Sequence, residues 1–307
     1  MLKTARLGDW FQIIIPEKWE GRTIDDIFRL EWAAPKKLIH SFRMEKKVRL
    51  DGAAANWQTP LPSGAKLQVL LFEPEEILIE PAYHEIGVLY EDDHLIVFNK
   101  PPFMNTHPND PEKDTGTLLN AGTFYLLTNG ELRNIRQIHR LDRDTSGAIL
   151  FAKHHLAGAI LDQMLARREI KRTYLAAVHG LFHQKKGVIN LPIGRDRHHG
   201  SRRVVSSSGQ NAITHYQVIK TAVNSRISIV KCWLETGRTH QIRVHLSHLG
   251  HPLVGDLLYG GEAALNRQAL HAGKLQLRHP FTHEPITCYA PVPDQLETFE
   301  HIDIYSL

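Results

Sequence analysis

Only two of the 307 residues are cysteine, Cys232 and Cys288, and they lie far apart. That scarcity excludes a disulfide framework and a paired-cysteine zinc site. Each cysteine sits in a short stretch rich in apolar, aromatic or β-branched residues, so both are expected to be buried thiols in a reducing compartment. Long apolar runs are missing as well. None approaches the roughly 18 residues of a membrane span, and residues Met1 to Trp10 lack the apolar core of a secretory leader. A cytoplasmic protein with no membrane partner is the expectation. One sign of charge is only slightly in excess: 37 Lys and Arg against 33 Asp and Glu, a net +4. That balance permits a nucleic-acid partner without requiring one. No internal repeat or low-complexity tract interrupts the chain. Hydrophobic residues make up 42%, enough for a sizeable core and too many for a disordered chain.

The richest segment is His139-Arg140-Leu141-Asp142-Arg143-Asp144-Thr145-Ser146-Gly147. It sets a carboxylate between two arginines inside a turn-forming Asp-Thr-Ser-Gly sequence. The apolar run Ala148 to Ala152 follows at once and reads as a buried strand. Asp142 is therefore expected on a loop held by a sheet. Arg140 and Arg143 would favour its ionised form. Taken alone, the segment reads more readily as a charged hairpin turn than as a site.

Residues 1–73 read as a small module. Ile24 to Trp32 suits a helix with apolar Ile24, Ile27, Phe28 and Leu30, and Pro35 can open a second helix carrying Leu38, Ile39 and Phe42. Val48 to Gly52 and Leu67 to Leu70 read as strands. Lys36, Lys37, Arg43, Lys46, Lys47 and Arg49 face one nearby acid, Glu45. Such a cluster can track phosphates or can be an ordinary solvated face. Residues 74–85, acidic and with two prolines, read as a linker. Residues 86–307 form the larger domain. Its strands are expected at Val88 to Tyr90, Leu95 to Phe98 and Thr173 to Val178, and its helices at Leu156 to Ala166 and Thr239 to Leu249. Short strands with few helices favour an α+β fold over a doubly wound one.

The segment HRLDRDTSG resembles the signature of the RluA family of pseudouridine synthases. In family order follow Lys171-Arg172-Thr173-Tyr174-Leu175-Ala176, then Thr236 to His245, Gly250 to Asp256 and Tyr259-Gly260; upstream, Tyr90-Glu91-Asp92 and Asn99-Lys100-Pro101 also match. The similarity covers roughly residues 86–295. Residues 21–73 resemble the S4 RNA-binding module. The resemblance implies a mixed, mainly antiparallel catalytic sheet of pseudouridine synthase type behind a small S4-like domain. It also implies an isomerase that rejoins uracil to ribose through C5 instead of N1. No cofactor and no metal are expected, because nothing is oxidised or hydrolysed.

By motif position Asp142 is the implied catalytic carboxylate, as nucleophile or as proton acceptor. Arg243 borders the apolar stripe of its helix and matches the family's active-site arginine. Arg238, at the helix entrance, suits phosphate or structural contacts. Tyr174 matches the active-site tyrosine, which can stack on uracil and assist proton transfer. Arg140 would hold the space left by an extruded base, and His139 would support the loop. Thr145 and Ser146 would fix the turn through their own backbone. The basic stretch with Arg195, Arg197, Arg202 and Arg203 reads as a loop or hairpin. The implied partner is RNA, with large-subunit ribosomal RNA favoured over transfer RNA, and a monomer is expected.

Two other classes compete. A metal-dependent phosphotransferase or hydrolase could use Asp142 and Asp144, but it lacks a glycine-rich phosphate loop or a second acidic cluster. The histidines His240, His245, His248 and His251 have no companion cysteine or HExxH pattern. An RNA-binding protein with a dead catalytic domain is opposed by the complete set of Asp142, Tyr174 and Arg243.

Overall fold

The computed structural model describes residues 2–110, 113–293, 296, 299 and 302–307. The N-terminal part holds β1 (Thr4–Leu7), β2 (Trp10–Ile14), α1 (Ile24–Asp26), α2 (Lys36–Met44), β3 (Val48–Leu50), β4 (Ala53–Ala54) and β5 (Lys66–Leu70). Its five strands pair in the order β1-β2-β5-β3-β4. A capping box between Thr23 and Asp26 starts α1. A π-helical turn, Ile27–Glu31, continues it and buries Ile27 and Phe28, while Leu30 faces solvent. The helix–helix–strand–turn–strand order matches expectation. The β1–β2 hairpin was not anticipated, because its alternation is short and mixed with charge.

The larger part contains β6 (Gly87–Glu91), β7 (Leu95–Lys100), α3 (Leu118–Thr128), β8 (Arg136–Gln137), β9 (Ser146–Ala152), α4 (His155–Ala166) and β10 (Lys171–His179). Next come β11 (Lys186–Asn190), β12 (Ile193–Arg195), β13 (Arg203–Val205), β14 (Ile213–Ala222), β15 (Ile227–Leu234), α5 (Gln241–His248), β16 (Leu270–Arg278) and β17 (Pro285–Tyr289). A ten-stranded sheet runs β11-β14-β15-β10-β16-β9-β7-β6, with β17 on β16 and β8 on β9. Among the described residues only the β16–β9 pair is parallel. The α+β, mainly antiparallel architecture is the expected one. The basic stretch forms its own hairpin, β12–β13.

All seven residues of β9 are buried, because helices cover both faces of the sheet there. Ile149 and Phe151 pack with Leu118 and Leu126 of α3 on one face. Ala148 and Leu150 pack with Leu156 and Leu161 of α4 on the other. That double burial is why the strand reads as a continuous apolar run and not as an alternation. α5 lies on the α3 face, where Ile242 and Leu246 meet Tyr174, Val230 and Cys232.

The two parts share one core. Phe11 packs edge-on against His94 at 4.6 Å and against Phe281 at 4.8 Å, between ring centroids. Trp32 reaches Phe281 at 5.8 Å. Each such ring contributes about 1.5–3 kcal/mol by leaving water. Residues 74–85 hold no helix or strand, yet they are pinned along the larger part. Asn134 donates its backbone N–H to Glu75 Oε2 at 3.0 Å, Leu78 N–H donates to Asn134 Oδ1 at 2.9 Å, and Asn120 Nδ2 donates to the Glu80 carbonyl at 2.8 Å. The segment acts as a strap.

Beneath Phe11 and Phe72, His94 Nδ1 lies 2.9 Å from His154 Nε2. Burial pushes the His94 pKa from 6.5 down to about 3, and His154 falls well below 6.5 for the same reason. The unfolded chain takes up these protons near pH 6.5, and folded His94 refuses its proton until about pH 3. Stability from the neutral rings is therefore complete above pH 6.5 and is lost as pH falls from there towards 3. The loss is about 1.4 kcal/mol per histidine for each pH unit. Urea midpoints at pH 7 and pH 5 should show this slope. His154→Asn, which keeps an acceptor for the Ala157 N–H, should lower it by about one histidine's share, the other buried histidines keeping theirs; an equal slope in the variant would count against the assignment.

Candidate active site

Asp142 lies on the loop between β8 and β9. Thr145 N–H donates to the Asp142 carbonyl at 3.1 Å, closing the turn. Thr145 Oγ1 accepts from Gln268 Nε2 at 3.3 Å, and Ser146 Oγ lies 2.9 Å from His271 Nδ1. These hydroxyls therefore tie the loop to the segment before and within β16, not to their own backbone. Gly147 has φ +114°, and a Cβ there would stand 2.3 Å from the Ala272 carbonyl oxygen. The glycine admits the parallel β16 strand at that point.

A second clamp comes from the end of β7 and the loop that follows. The fully buried Lys100 donates to the carbonyls of Pro101 (2.8 Å), Met104 (2.7 Å) and Arg143 (2.9 Å). Its three hydrogens thus meet three acceptors. Burial pushes its pKa down to about 7 against the pull of Asp142 and Asp144. Thr106 Oγ1 donates to the Leu141 carbonyl at 3.1 Å and accepts from Leu141 N–H at 3.2 Å. His139 is buried, with its pKa pushed down to about 3, and its Nε2 accepts from Leu150 N–H at 3.3 Å.

Arg243 Nη1 donates to Asp142 Oδ2 at 3.2 Å. Its Nε and Nη2 donate to the two oxygens of Asp256 at 2.7 and 2.8 Å. Asp256 is only 2% exposed. Burial opposes the Arg243 charge, but the hydrogen bonds to Asp256 and the field of both carboxylates outweigh it and raise its pKa. Arg140 and Arg143 are exposed, and among the described residues neither pairs with Asp142. The cation beside Asp142 comes from α5. Arg238 is exposed and donates from Nε to the Asn211 carbonyl at 3.0 Å.

Tyr174 is 5% exposed on β10, opposite an irregularity where the β10–β16 register shifts between Thr173 and Leu175. Such bulges re-aim side chains. Burial raises the Tyr174 pKa, and Asp142 adds to the rise while Arg172 opposes it. Asp142, Tyr174, Arg243, Arg140, His139 and Arg238 all line one cleft of about 730 Å³, together with Ile242, Leu270 and His240.

The basic residues of α2 do not join this cleft. Arg43 pairs with Asp25 at 2.8 Å and its guanidinium lies over Trp57 at 4.9 Å. Lys47 pairs with Glu45 at 2.9 Å and Glu73 at 3.1 Å. Three acids therefore face a cluster whose sequence neighbourhood shows one. Lys36, Lys37 and Lys46 are exposed and have no ion-pair partner among the described residues. Cys232 and Cys288 are both buried and free. Two of the clustered histidines serve buried or half-buried hydrogen bonds: His245 lies 2.9 Å from both Thr214 Oγ1 and the Leu191 carbonyl, and His251 lies 2.9 Å from the His179 carbonyl. No group of three metal-ligating side chains occurs among the described residues. No helix there is long and apolar enough to cross a membrane.

The family model for RNA pseudouridylate synthase matches residues 94–248. The chain belongs to the RluA family of RNA pseudouridine synthases. Residues 11–67 match the model of the RluD ribosomal pseudouridine synthase N-terminal domain. An uncharacterized RNA pseudouridine synthase, YhcT of Bacillus subtilis, is 45% identical over 94% of this chain and 96% of its own length. Ribosomal large subunit pseudouridine synthase D of Nitrosomonas europaea is 35% identical over 93% of this chain and 85% of its own. Among solved structures, human RNA pseudouridylate synthase domain containing 1 superposes with a TM-score of 0.57 at 27% identity, covering 70% of this chain and 87% of that one.

Sequence reasoning left Asp256, Lys100 and His240 without a role in the synthase. All three sit inside segments already singled out, so the signal was present; only their partners were invisible. Replacing Asp256 by Ala should leave Arg243 half-unpaired inside the protein and cost about 3–5 kcal/mol. Urea unfolding of Asp256→Ala against wild type measures it, and a loss below about 1 kcal/mol would show the pair to be dispensable for stability.

Proposed function

We propose that this synthase converts uridine to pseudouridine in structured large-subunit ribosomal RNA, with Asp142 as the acting carboxylate and no cofactor. The observation that carries this reading is the Asp142–Arg243–Asp256 arrangement at the base of the cleft. The cleft volume is within the range that encloses a small ligand, in keeping with one extruded nucleotide. The glycosidic bond from C1′ to N1 breaks and C1′ rejoins C5. The C5 proton leaves and N1 ends protonated, so atoms balance without an oxidant or water.

In this reading Arg243 holds and aims the Asp142 carboxylate. Tyr174 offers its ring to the uracil face, with its hydroxyl kept protonated by burial. Arg140 occupies the vacated stack and His139 supports the loop. Arg238, Lys36, Lys37 and Lys46 meet phosphates, whereas Arg43 and Lys47 spend their charge on Asp25, Glu45 and Glu73. The relatives named for the large ribosomal subunit favour that RNA over transfer RNA. The protein acts as a monomer.

Mapping pseudouridine in total RNA from cells with and without the gene, rescued by wild type or Asp142→Asn, tests the reading. One large-subunit site should vanish and return only with wild type. On purified protein, Asp142→Asn should lower the rate by about 10³-fold or more while RNA affinity stays within about threefold. Full rescue by Asp142→Asn would overturn the role of Asp142, and loss of a transfer-RNA site instead would overturn the substrate.

A further inference from the structure

The basic hairpin and the carboxylate are joined through Tyr259, which is buried. The Arg203 backbone N–H, on β13, donates to the Tyr259 hydroxyl at 2.9 Å. The same hydroxyl lies 2.8 Å from His240 Nδ1. The Tyr259 ring also carries the Arg243 guanidinium at 4.9 Å and that of Arg202 at 5.7 Å. His240 itself sits at φ 57° just before α5, a left-handed conformation that costs a non-glycine residue free energy and persists where its surroundings impose it. Its Nε2 lies 3.9 Å from Asp142 Oδ2.

These contacts favour one tautomer of His240. A phenol has one hydrogen. The Arg203 N–H donates to its oxygen, and among the described residues His240 Nδ1 is the acceptor in hydrogen-bond contact with the hydroxyl, so the buried hydrogen is satisfied only if Nδ1 is the bare nitrogen. In the neutral ring the hydrogen therefore sits on Nε2, facing Asp142. Without the hairpin amide, the hydroxyl could instead accept from Nδ1–H. Nε2 would then present a lone pair to a carboxylate.

We propose that Tyr259 and His240 are positioning residues for the isomerisation: the seated β12–β13 hairpin, acting through the Tyr259 hydroxyl, fixes the His240 tautomer so that an N–H faces Asp142. This rests on the reading of Asp142 as the acting carboxylate. At 3.9 Å the N–H is too far from Asp142 for a direct hydrogen bond. It is placed to donate to Asp142, or to a uridine oxygen lying against it, once substrate fills the gap. The charged groups around His240 are Asp142 from the catalytic loop, Arg243 from α5, Asp256 from the segment after α5 and Arg203 from β13. Burial keeps the ring's pKa below its ordinary value, with Asp142 opposing, so the neutral ring is the relevant one. The arrangement also makes the seat of a hairpin carrying Arg195, Arg197, Arg202 and Arg203 legible at the reacting carboxylate.

The test is a double-mutant cycle on the full chain, using RNA from cells lacking the gene and single-turnover rates. Tyr259→Phe should slow the reaction about tenfold with RNA affinity within about twofold. His240→Gln, whose amide nitrogen can stand where Nε2 stood and which has no tautomer to set, should lose only severalfold. Adding Tyr259→Phe to His240→Gln should cost nothing more. Additive losses, a wild-type rate for Tyr259→Phe, or a fall in affinity matching the fall in rate would each overturn the proposal. Nitrogen-15 shifts of the His240 ring report the tautomer without any turnover; a proton on Nδ1 in wild type would also overturn it. A wild-type protein that forms no pseudouridine at all would instead sink the functional reading beneath it.

Discussion

The site is organised around one guanidinium shared by two carboxylates. Arg243 presents a planar fork with donors on two edges, and buried Asp256 takes one edge with both oxygens. That bidentate grip removes the side chain's freedom to swing. The remaining edge is delivered to Asp142. A lysine in the same place would offer a point charge without direction. Because Asp256 supplies the compensation for burying the cation, the Asp142 contact can stay long and partly open to the cleft.

Holding the cation is half of the arrangement; the loop carrying Asp142 must be held as well. Lys100 at the end of β7 and Thr106 on the loop that follows grip it, and Gly147 lets β16 close on it from the other side. These contacts come from two separate stretches of chain, β7 with the loop that follows it and β16, the two strands that flank β9 in the large sheet. There β9 is covered on both faces. Rigid placement of a loop by buried strands is the usual means by which a fold gives a small set of side chains a fixed geometry. The N-terminal part shares that rigidity, since Phe11, Trp32 and Phe72 close the same core that α4 and β9 begin.

Much of this was legible beforehand. The α+β class, the strand after Asp142, the helices over α2 and α4, and the buried thiols follow from local period and residue type. So does the preference for Arg243 over Arg238 beside Asp142, since Arg243 borders the stripe formed by Ile242 and Leu246. Other features were hidden. Arg140 and Arg143 flank Asp142 in sequence, and that proximity suggested a pairing which the turn does not make. The α2 cations looked almost unopposed, because Asp25 and Glu73 reach them only through the fold.

What the residues decided alone is therefore chemistry and local shape: which side chains can bear a proton or a phosphate, which stretch turns, and which runs must be buried. Those depend on neighbours a few positions away. The tertiary structure decided the partnerships. Arg243 meets a carboxylate 101 positions earlier and another 13 later. Tyr259 meets an amide 56 positions before it, and Lys100 meets a carbonyl 43 positions on. Hydrogen bonds and ion pairs are short-ranged and directional, so they exist only once the sheet has brought distant segments within about 3 Å of one another.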